Sequence, residues 1–179
     1  MKSLYLLRHA EAARGRATDE DFDCPLLPRG RAAAERLSET MAAEGIRPEL
    51  VICSGARRAR ETWEILSERL SAEDGEPIIL ETLDDLYLAT MTQLLTVLRA
   101  APGDTESVLM IGHNPGLQQF AGRLAGPDSE DGALQKLRKG LPGGGFVVLS
   151  LEGVDWARIK PGSARLERVL FPADLPVPG

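Results

Sequence analysis

The chain holds only two histidines, and each directly follows an apolar run that predicts a buried β-strand. His9 comes after the run that begins at Leu4, and His113 comes after the run that begins at Val108. In open α/β sheets, ligands bind at the carboxyl ends of the strands. The placement therefore predicts that both imidazoles reach one edge of a sheet.

Arginine is close to these positions in the sequence. Arg8 precedes His9, and an arginine-rich segment, Ser54 to Thr62, follows another predicted strand at 50–53. A phosphoryl group carries negative charge that preorganised donors must hold if a nucleophile is to approach phosphorus. Arginine suits this task because its planar fork presents paired N–H groups and stays charged. Histidines with converging guanidinium groups predict a phosphate site.

Four segments occur in order along the chain: Leu7-Arg8-His9-Ala10-Glu11-Ala12, residues 23–30, residues 54–62 and residues 111–115. They resemble the motifs of the histidine phosphatase superfamily, the phosphoglycerate-mutase-like enzymes. The second is similar to Asp-x-x-Pro-Leu-Thr-x-x-Gly, with Leu27 in place of threonine, and the third to Ser-x-x-x-Arg-Ala-x-x-Thr. The resemblance is closest to the short SixA-type branch, the phosphohistidine phosphatases.

This resemblance implies a role for four side chains. His9 resembles the nucleophile, whose neutral ring nitrogen attacks phosphorus and becomes transiently phosphorylated. The other ring nitrogen must then keep its proton and donate it to an acceptor, commonly a backbone carbonyl. His113 resembles the second histidine, which donates to a phosphate oxygen. Arg8 and Arg58 correspond to the phosphate-binding pair, and Arg58 is chosen over Arg57 because it lies four residues after Ser54.

A general acid is harder to assign. In the mutase and phosphomonoesterase branches a carboxylate protonates the departing oxygen, but the mutase-type glutamate followed by an aromatic-glycine segment is absent here. Asp85 is the best candidate and Glu81 the second, and the alternative is that these two and Asp84 are all surface carboxylates. Glu11 is close to the site in sequence, or it pairs with an arginine there.

Two further polar residues have a structural and a functional interpretation. The sequence from Gly112 to Gly116 predicts a strand-to-helix turn, in which Asn114 is expected to cap the helix. The start of that helix could also help to bind phosphate through its free N–H groups. Ser54 is expected to cap the helix that carries Arg58, in preference to acting as a catalytic hydroxyl.

Composition excludes several other classes of protein. The net charge of −6 and the aromatic content of 4% disfavour a nucleic-acid-binding protein. No apolar stretch is long enough for a membrane span or a signal peptide, so a cytoplasmic protein is expected. Cys24 and Cys53 are expected to be free thiols, and the two histidines and two cysteines lack the close spacing of zinc ligands. We expect neither a metal nor a cofactor.

Strand-like and helix-like segments alternate along the 179 residues. This pattern predicts one α/β domain over residues 1–179, a three-layer α/β/α sandwich of the phosphoglycerate-mutase type with a mostly parallel central sheet. Long loops are expected at 13–22 and 126–145, and an irregular tail from residue 171. The strands are predicted at 2–8, 50–53, 78–81, 107–112, 145–151 and 156–160, and the helices at 29–44, 59–70, 91–98 and 117–124.

These features predict a metal-independent phosphatase that acts through a covalent phosphohistidine intermediate. The favoured substrate is phosphohistidine on a protein, and the alternative is a small phosphorylated metabolite. A different class of function is also open, namely a catalytically weak module that binds phosphohistidine proteins in signalling. The presence of Arg8, His9, Arg58 and His113 argues against that module.

Overall fold

A computed structural model describes residues 1–13, 21–71 and 76–177 of the chain. Within these ranges the protein folds around a six-stranded sheet, because its most apolar segments form central strands that are buried on both faces. All four residues from Val108 to Ile111, for example, are inaccessible to solvent. The strands are β1 (Lys2–Arg8), β2 (Leu50–Ser54), β3 (Ile79–Leu83), β4 (Ser107–Gly112), β5 (Phe146–Leu151) and β6 (Arg165–Leu170).

The sheet has the order β3-β2-β4-β1-β5-β6. Neighbouring strands from β3 to β1 are parallel, whereas β5 is antiparallel to both β1 and β6. Five of the six strands therefore run in one direction, and the predicted mostly parallel sheet is confirmed.

Helices cover both faces of the sheet and create two hydrophobic cores. One core contains Leu37 and Leu66 and lies under α1 and α2, and the other contains Phe120 and Leu137 and lies under α3, α4 and α5. Alternate strand residues point into each core, so that the predicted three-layer architecture is confirmed. The helices are α1 (Pro28–Ala43), α2 (Arg57–Leu70), α3 (Met91–Arg99), α4 (Gly116–Leu124) and α5 (Asp131–Arg138).

The predicted strand at 156–160 is wrong. Residues Trp156–Arg158 form a short 3-10 helix, and the sixth strand is β6. Trp156 and Ile159 are both fully buried, and their spacing of three residues fits a 3-10 turn. The sequence of β6 does not show the alternation of apolar and polar residues that indicates a strand. Its pairing with β5 is irregular, and its buried residues, Leu166 and Val169, are therefore three positions apart instead of two.

The predicted loop at 126–145 contains a helix that the sequence analysis missed. The short helix α5 buries Ala133 and Leu137 against β6 and α4, and the glycines and charged residues around it mask this periodicity. The tail is also more ordered than expected, since Pro172–Asp174 forms a 3-10 turn. None of the helices in the described ranges has the length and hydropathy that a membrane span requires.

Candidate active site

The two histidines converge at the carboxyl end of the sheet, as their positions in the sequence predict. In the parallel pairing of β1 with β4, Arg8 aligns with Gly112, so that His9 and His113 leave adjacent strands at the same level. The centroids of the two imidazole rings lie 5.0 Å apart, with an angle of 52° between the ring planes. Both rings are buried.

Hydrogen bonds from three parts of the chain hold the backbone at His9. The His9 amide donates to the Gly112 carbonyl at 3.1 Å, and the His9 carbonyl accepts from the Gly144 amide at 2.9 Å. The next amide, that of Ala10, donates to the hydroxyl of Thr62 on α2 at 3.0 Å. The position of His9 is therefore set by β4, α2 and the loop before β5.

The ring of His9 is fixed in one tautomer. Its Nδ1 lies 2.7 Å from the carbonyl oxygen of Ala10, which can only accept, so Nδ1 carries the proton. Its Nε2 accepts a hydrogen bond from Nε of Arg58 at 3.2 Å and therefore holds a lone pair. The sequence predicted a backbone acceptor without naming it, and the structure assigns it to Ala10. In this tautomer Nε2 can act as a nucleophile.

Both imidazoles are neutral near pH 7. Burial, reinforced by the charges of Arg58 and Arg8, lowers the pKa of His9 from its ordinary 6.5 to about 4. Burial, the adjacent His9 and Arg58 lower the pKa of His113 to about 3. A nucleophilic ring must be unprotonated, and this environment holds His9 in that protonation state.

Two guanidinium groups supply positive charge to the site. Arg58 lies at the start of α2, is 7% exposed and contacts His9 directly. Arg8 donates through Nη1 to the Leu141 carbonyl at 2.9 Å, while its buried Nε has no hydrogen-bond partner among the described residues. Arg57 pairs instead with Glu61 on the same helix and does not line the cavity described below.

Asp21 and Tyr87 belong to the site, although sequence reasoning gave neither a role. Asp21 accepts hydrogen bonds from Nη2 of Arg58 and from the hydroxyl of Tyr87. These donors, the tyrosine first, hold the pKa of Asp21 below its ordinary value. The ring of Tyr87 lies edge-on to His113, with centroids 5.3 Å apart, and faces the guanidinium of Arg58. The sequence signal was weak because both residues lie outside the four motifs.

The expectations for Ser54 and Asn114 have different outcomes. Asn114 accepts through Oδ1 from the Gln118 amide in the first turn of α4, but the cap position of that helix is Pro115, so Asn114 lies one residue before the position predicted for it. The cap position of α2 is Ala56, which makes no side-chain cap, so the capping role predicted for Ser54 is wrong. Ser54 is directed instead to His113, whose Nε2 lies 2.8 Å from its hydroxyl oxygen.

The carboxylates proposed as general acids are not brought to the histidines. Asp85 lies in a short 3-10 helix after β3 and is exposed, and Glu81 is exposed on β3 itself. Glu11 does lie beside the site, and it forms a bidentate ion pair with Arg29. The interpretation of Glu11 as the partner of an arginine therefore agrees with the structure.

A cavity of about 730 Å³ opens over His9. The end of β1, the loop before β5 and the C-terminal 3-10 turn contribute to its walls. Both predicted loops border it, through Ala13 and Asp21 in one and Pro142 in the other, whereas residues 14–20 lie outside the described ranges. The lining residues are Arg8, His9, Glu11, Ala12, Ala13, Asp21, Arg58, Pro142, Gly143, Phe171, Pro172 and Ala173.

No group of three or more histidine, cysteine or acidic side chains in residues 1–13, 21–71 and 76–177 is arranged to hold a metal ion. The hydrogen-bond donors on side chains that face the cavity include instead the guanidinium groups of Arg8 and Arg58. Such donors bind an oxyanion rather than a cation.

A mostly parallel sheet that brings two neutral imidazoles and two guanidinium groups to its carboxyl edge defines a phosphoryl-transfer enzyme. The chain belongs to the histidine phosphatase superfamily, branch 1, whose family model matches residues 4–108. The protein is thus a phosphatase. His113 lies beyond the matched residues, and its place in the site rests on the geometry described above.

Two solved structures show the same fold over nearly the whole chain. A candidate phosphohistidine phosphatase SixA from Nakamurella multipartitia is 29% identical, with a TM-score of 0.81 over 96% of each chain. A second SixA candidate, from Agrobacterium tumefaciens, is 28% identical, with a TM-score of 0.76 over 95% of this chain and 97% of the other. These similarities confirm the resemblance to the SixA-type branch.

A similar match occurs among curated proteins. An uncharacterised protein of Mycobacterium tuberculosis is 29% identical over 161 residues, which cover 89% of this chain and 96% of the relative. The similarity therefore extends over both chains almost completely.

The first prediction concerns the guanidinium that contacts His9. Arg58→Lys keeps the charge but loses the planar fork, so we expect a loss of at least about 2 kcal/mol of transition-state stabilisation, or roughly thirtyfold in kcat/KM. Arg57→Lys is the matched control, because it changes the adjacent residue, and we expect it to stay within a few-fold of wild type. An Arg58→Lys enzyme with near-normal kcat/KM would remove Arg58 from the phosphate site.

The second prediction concerns pH. Because the pKa of His9 is lowered to about 4, the acid limb of the kcat/KM profile should lie near pH 4 instead of near 6.5. The free energy of unfolding should meanwhile decrease as the pH falls from about 6.5 towards 4, since unfolded histidines take up protons in that window and folded ones do not. Rates and circular dichroism are measured at each pH. A limb near pH 6.5 in protein that is still folded would contradict the assignment.

Proposed function

We propose that this phosphatase hydrolyses phosphohistidine on a protein, with His9 as the nucleophile and a covalent phosphohistidine enzyme as the intermediate. The observation that carries the proposal is the fixed tautomer of His9, in which Nδ1 donates to the Ala10 carbonyl and Nε2 keeps its lone pair. This arrangement is the one that in-line attack on phosphorus requires.

The proposed reaction has two displacements. In the first, Nε2 of His9 forms a bond to phosphorus as the P–N bond of the substrate breaks, and the substrate imidazole, already protonated on its other ring nitrogen, leaves as a neutral ring. In the second, water attacks the phosphoryl group on His9, releasing inorganic phosphate and restoring the free ring. Arg8, Arg58 and His113 would hold the phosphoryl oxygens in both steps, where preorganised donors reduce the barrier most.

The carboxylates of the cavity support a P–N substrate over a P–O one. Among the described residues, Asp21 and Glu11 are the acidic side chains that line it, and each is paired with an arginine. The Tyr87 hydroxyl and Arg58 lower the pKa of Asp21, so this side chain is ionised near neutral pH and has no proton to donate. An alkoxide leaving group needs a placed acid, whereas imidazole can leave once its own ring nitrogen is protonated.

A small phosphorylated metabolite is the competing substrate class. The cavity of about 730 Å³ falls in the size range of small-molecule sites, and it would hold a sugar phosphate. For such a substrate Asp85 is the acid proposed from the sequence, and it would have to approach from its exposed position after β3. The two substrate classes thus differ in their dependence on a carboxylate.

The third prediction tests the covalent route. His9→Ala should abolish turnover and leave the fold intact, because the side chain ends a strand whose packing is provided by other residues. Rapid quenching of the wild-type enzyme during turnover should trap phosphate on His9 that is acid-labile and base-stable. Retention of wild-type activity by His9→Ala would contradict the proposal, and circular dichroism of the variant serves as the control for folding.

The fourth prediction tests the substrate class. We expect kcat/KM for a phosphohistidine peptide to exceed that for a phosphoserine peptide of the same sequence by at least roughly two orders of magnitude, the lower end of what general acid catalysis contributes. Asp85→Asn should leave phosphohistidine hydrolysis nearly unchanged. Efficient hydrolysis of phosphoserine or a sugar phosphate that Asp85→Asn selectively destroys would instead identify a phosphomonoesterase with Asp85 as its acid.

A further inference from the structure

Ser54 is the last residue of β2 and is completely buried. Its hydroxyl oxygen has two hydrogen-bond partners among the described residues. One is the amide of Ala56 at 3.3 Å, and the other is Nε2 of His113 at 2.8 Å. The hydroxyl is therefore enclosed between one backbone group and one side chain of the active site.

The chemistry of these partners determines the direction of each bond. The Ala56 amide can only donate, so it occupies a lone pair of the Ser54 oxygen. A buried hydroxyl proton needs an acceptor, and of the two partners only Nε2 of His113 can accept it. The Ser54 hydroxyl thus donates to Nε2, and the proton of the neutral His113 ring must be on Nδ1.

The protonated nitrogen of His113, Nδ1, is not engaged by the protein in the same way as Nε2. It is a buried ring nitrogen without a hydrogen-bond partner among the described residues. Since the two nitrogens of an imidazole point in divergent directions, the N–H at Nδ1 points away from Ser54. The ring that carries it lies 5.0 Å, centroid to centroid, from the ring of His9. Among the described residues this N–H has no acceptor, which leaves it free to donate to a phosphoryl oxygen bound at His9.

We propose that Ser54 is a positioning residue, which keeps the proton of His113 on Nδ1 so that this histidine can donate to the phosphoryl group. Ser54 does not contact substrate in this assignment and acts only through His113. The opposite tautomer would direct the N–H of His113 at Ser54 and present a lone pair to an anion, which would be repulsive. The proposal also explains why a serine in this position is directed into the site and does not cap α2.

Nitrogen-15 NMR of the imidazole rings tests the proposal directly, because the chain contains only two histidines. In the full-length protein at pH 7, we expect both rings to show a protonated Nδ1 and an unprotonated Nε2. The His9→Ala variant leaves His113 as the sole imidazole and so assigns its resonances. A wild-type spectrum in which the ring assigned to His113 carries its proton on Nε2 would overturn the proposal.

Substitution of the hydroxyl provides the second arm. Ser54→Ala removes the donor to Nε2, so the His113 nitrogens should shift towards the intermediate values of two exchanging tautomers while those of His9 stay unchanged. We expect kcat for a phosphohistidine peptide to fall at least about tenfold, since a misdirected ring proton impairs catalysis without altering the fold. Ser54→Thr retains a hydroxyl and should restore both the spectrum and most of the rate.

Ser38→Ala is the matched control. Ser38 is also buried, its hydroxyl donates to the Glu35 carbonyl within α1, and it does not line the cavity over His9. This control should keep the wild-type spectrum and rate. A Ser54→Ala protein that is folded, retains the Nδ1–H tautomer of His113 and has wild-type kcat would refute the positioning role. The kinetic arm rests on the proposed function, whereas the NMR arm stands even if the substrate is different.

Discussion

The parallel pairing of β1 with β4 is the constraint on which the active site depends. It aligns Arg8 with Gly112, so the residues that follow, His9 and His113, emerge side by side at the carboxyl edge of the sheet. A shift of one residue in this register would move one imidazole to the opposite face of the sheet. The register is secured by the burial of both strands on both faces, so the same apolar side chains that stabilise the core also set the distance between the histidines.

The segment from Ser54 to Thr62 connects this edge to α2 through three side chains spaced four residues apart. Ser54 binds the ring of His113, Arg58 binds the ring of His9, and Thr62 binds the amide of Ala10. Four residues correspond to about one helical turn, so Arg58 and Thr62 lie on one face of α2. The four-residue spacing from Ser54 to Thr62 therefore lets one segment contact the rings of both histidines and the backbone amide that follows His9.

Burial next to positively charged arginines keeps both histidines of the site neutral. Each histidine loses the solvent that would stabilise its protonated form, and the adjacent arginines oppose protonation further, so the pKa of each ring falls well below 6.5. The arginines in turn are only partly compensated, chiefly by Asp21. An incoming phosphoryl group would supply the negative charge that two guanidinium groups require, so a protein with a net charge of −6 can still offer a locally positive site to an anion.

The sequence by itself determined the fold class and the convergence of His9, His113, Arg8 and Arg58, because continuous apolar runs and motif spacing are local patterns. It did not determine β6 and α5, whose periodicity is obscured by a pairing irregularity and by flanking glycines. Only the tertiary structure assigned Asp21, Tyr87 and the Ala10 carbonyl to the site and directed Ser54 to His113. These relations join residues from separate segments or depend on the direction of a side chain, and neither property is written in the order of residues along the chain.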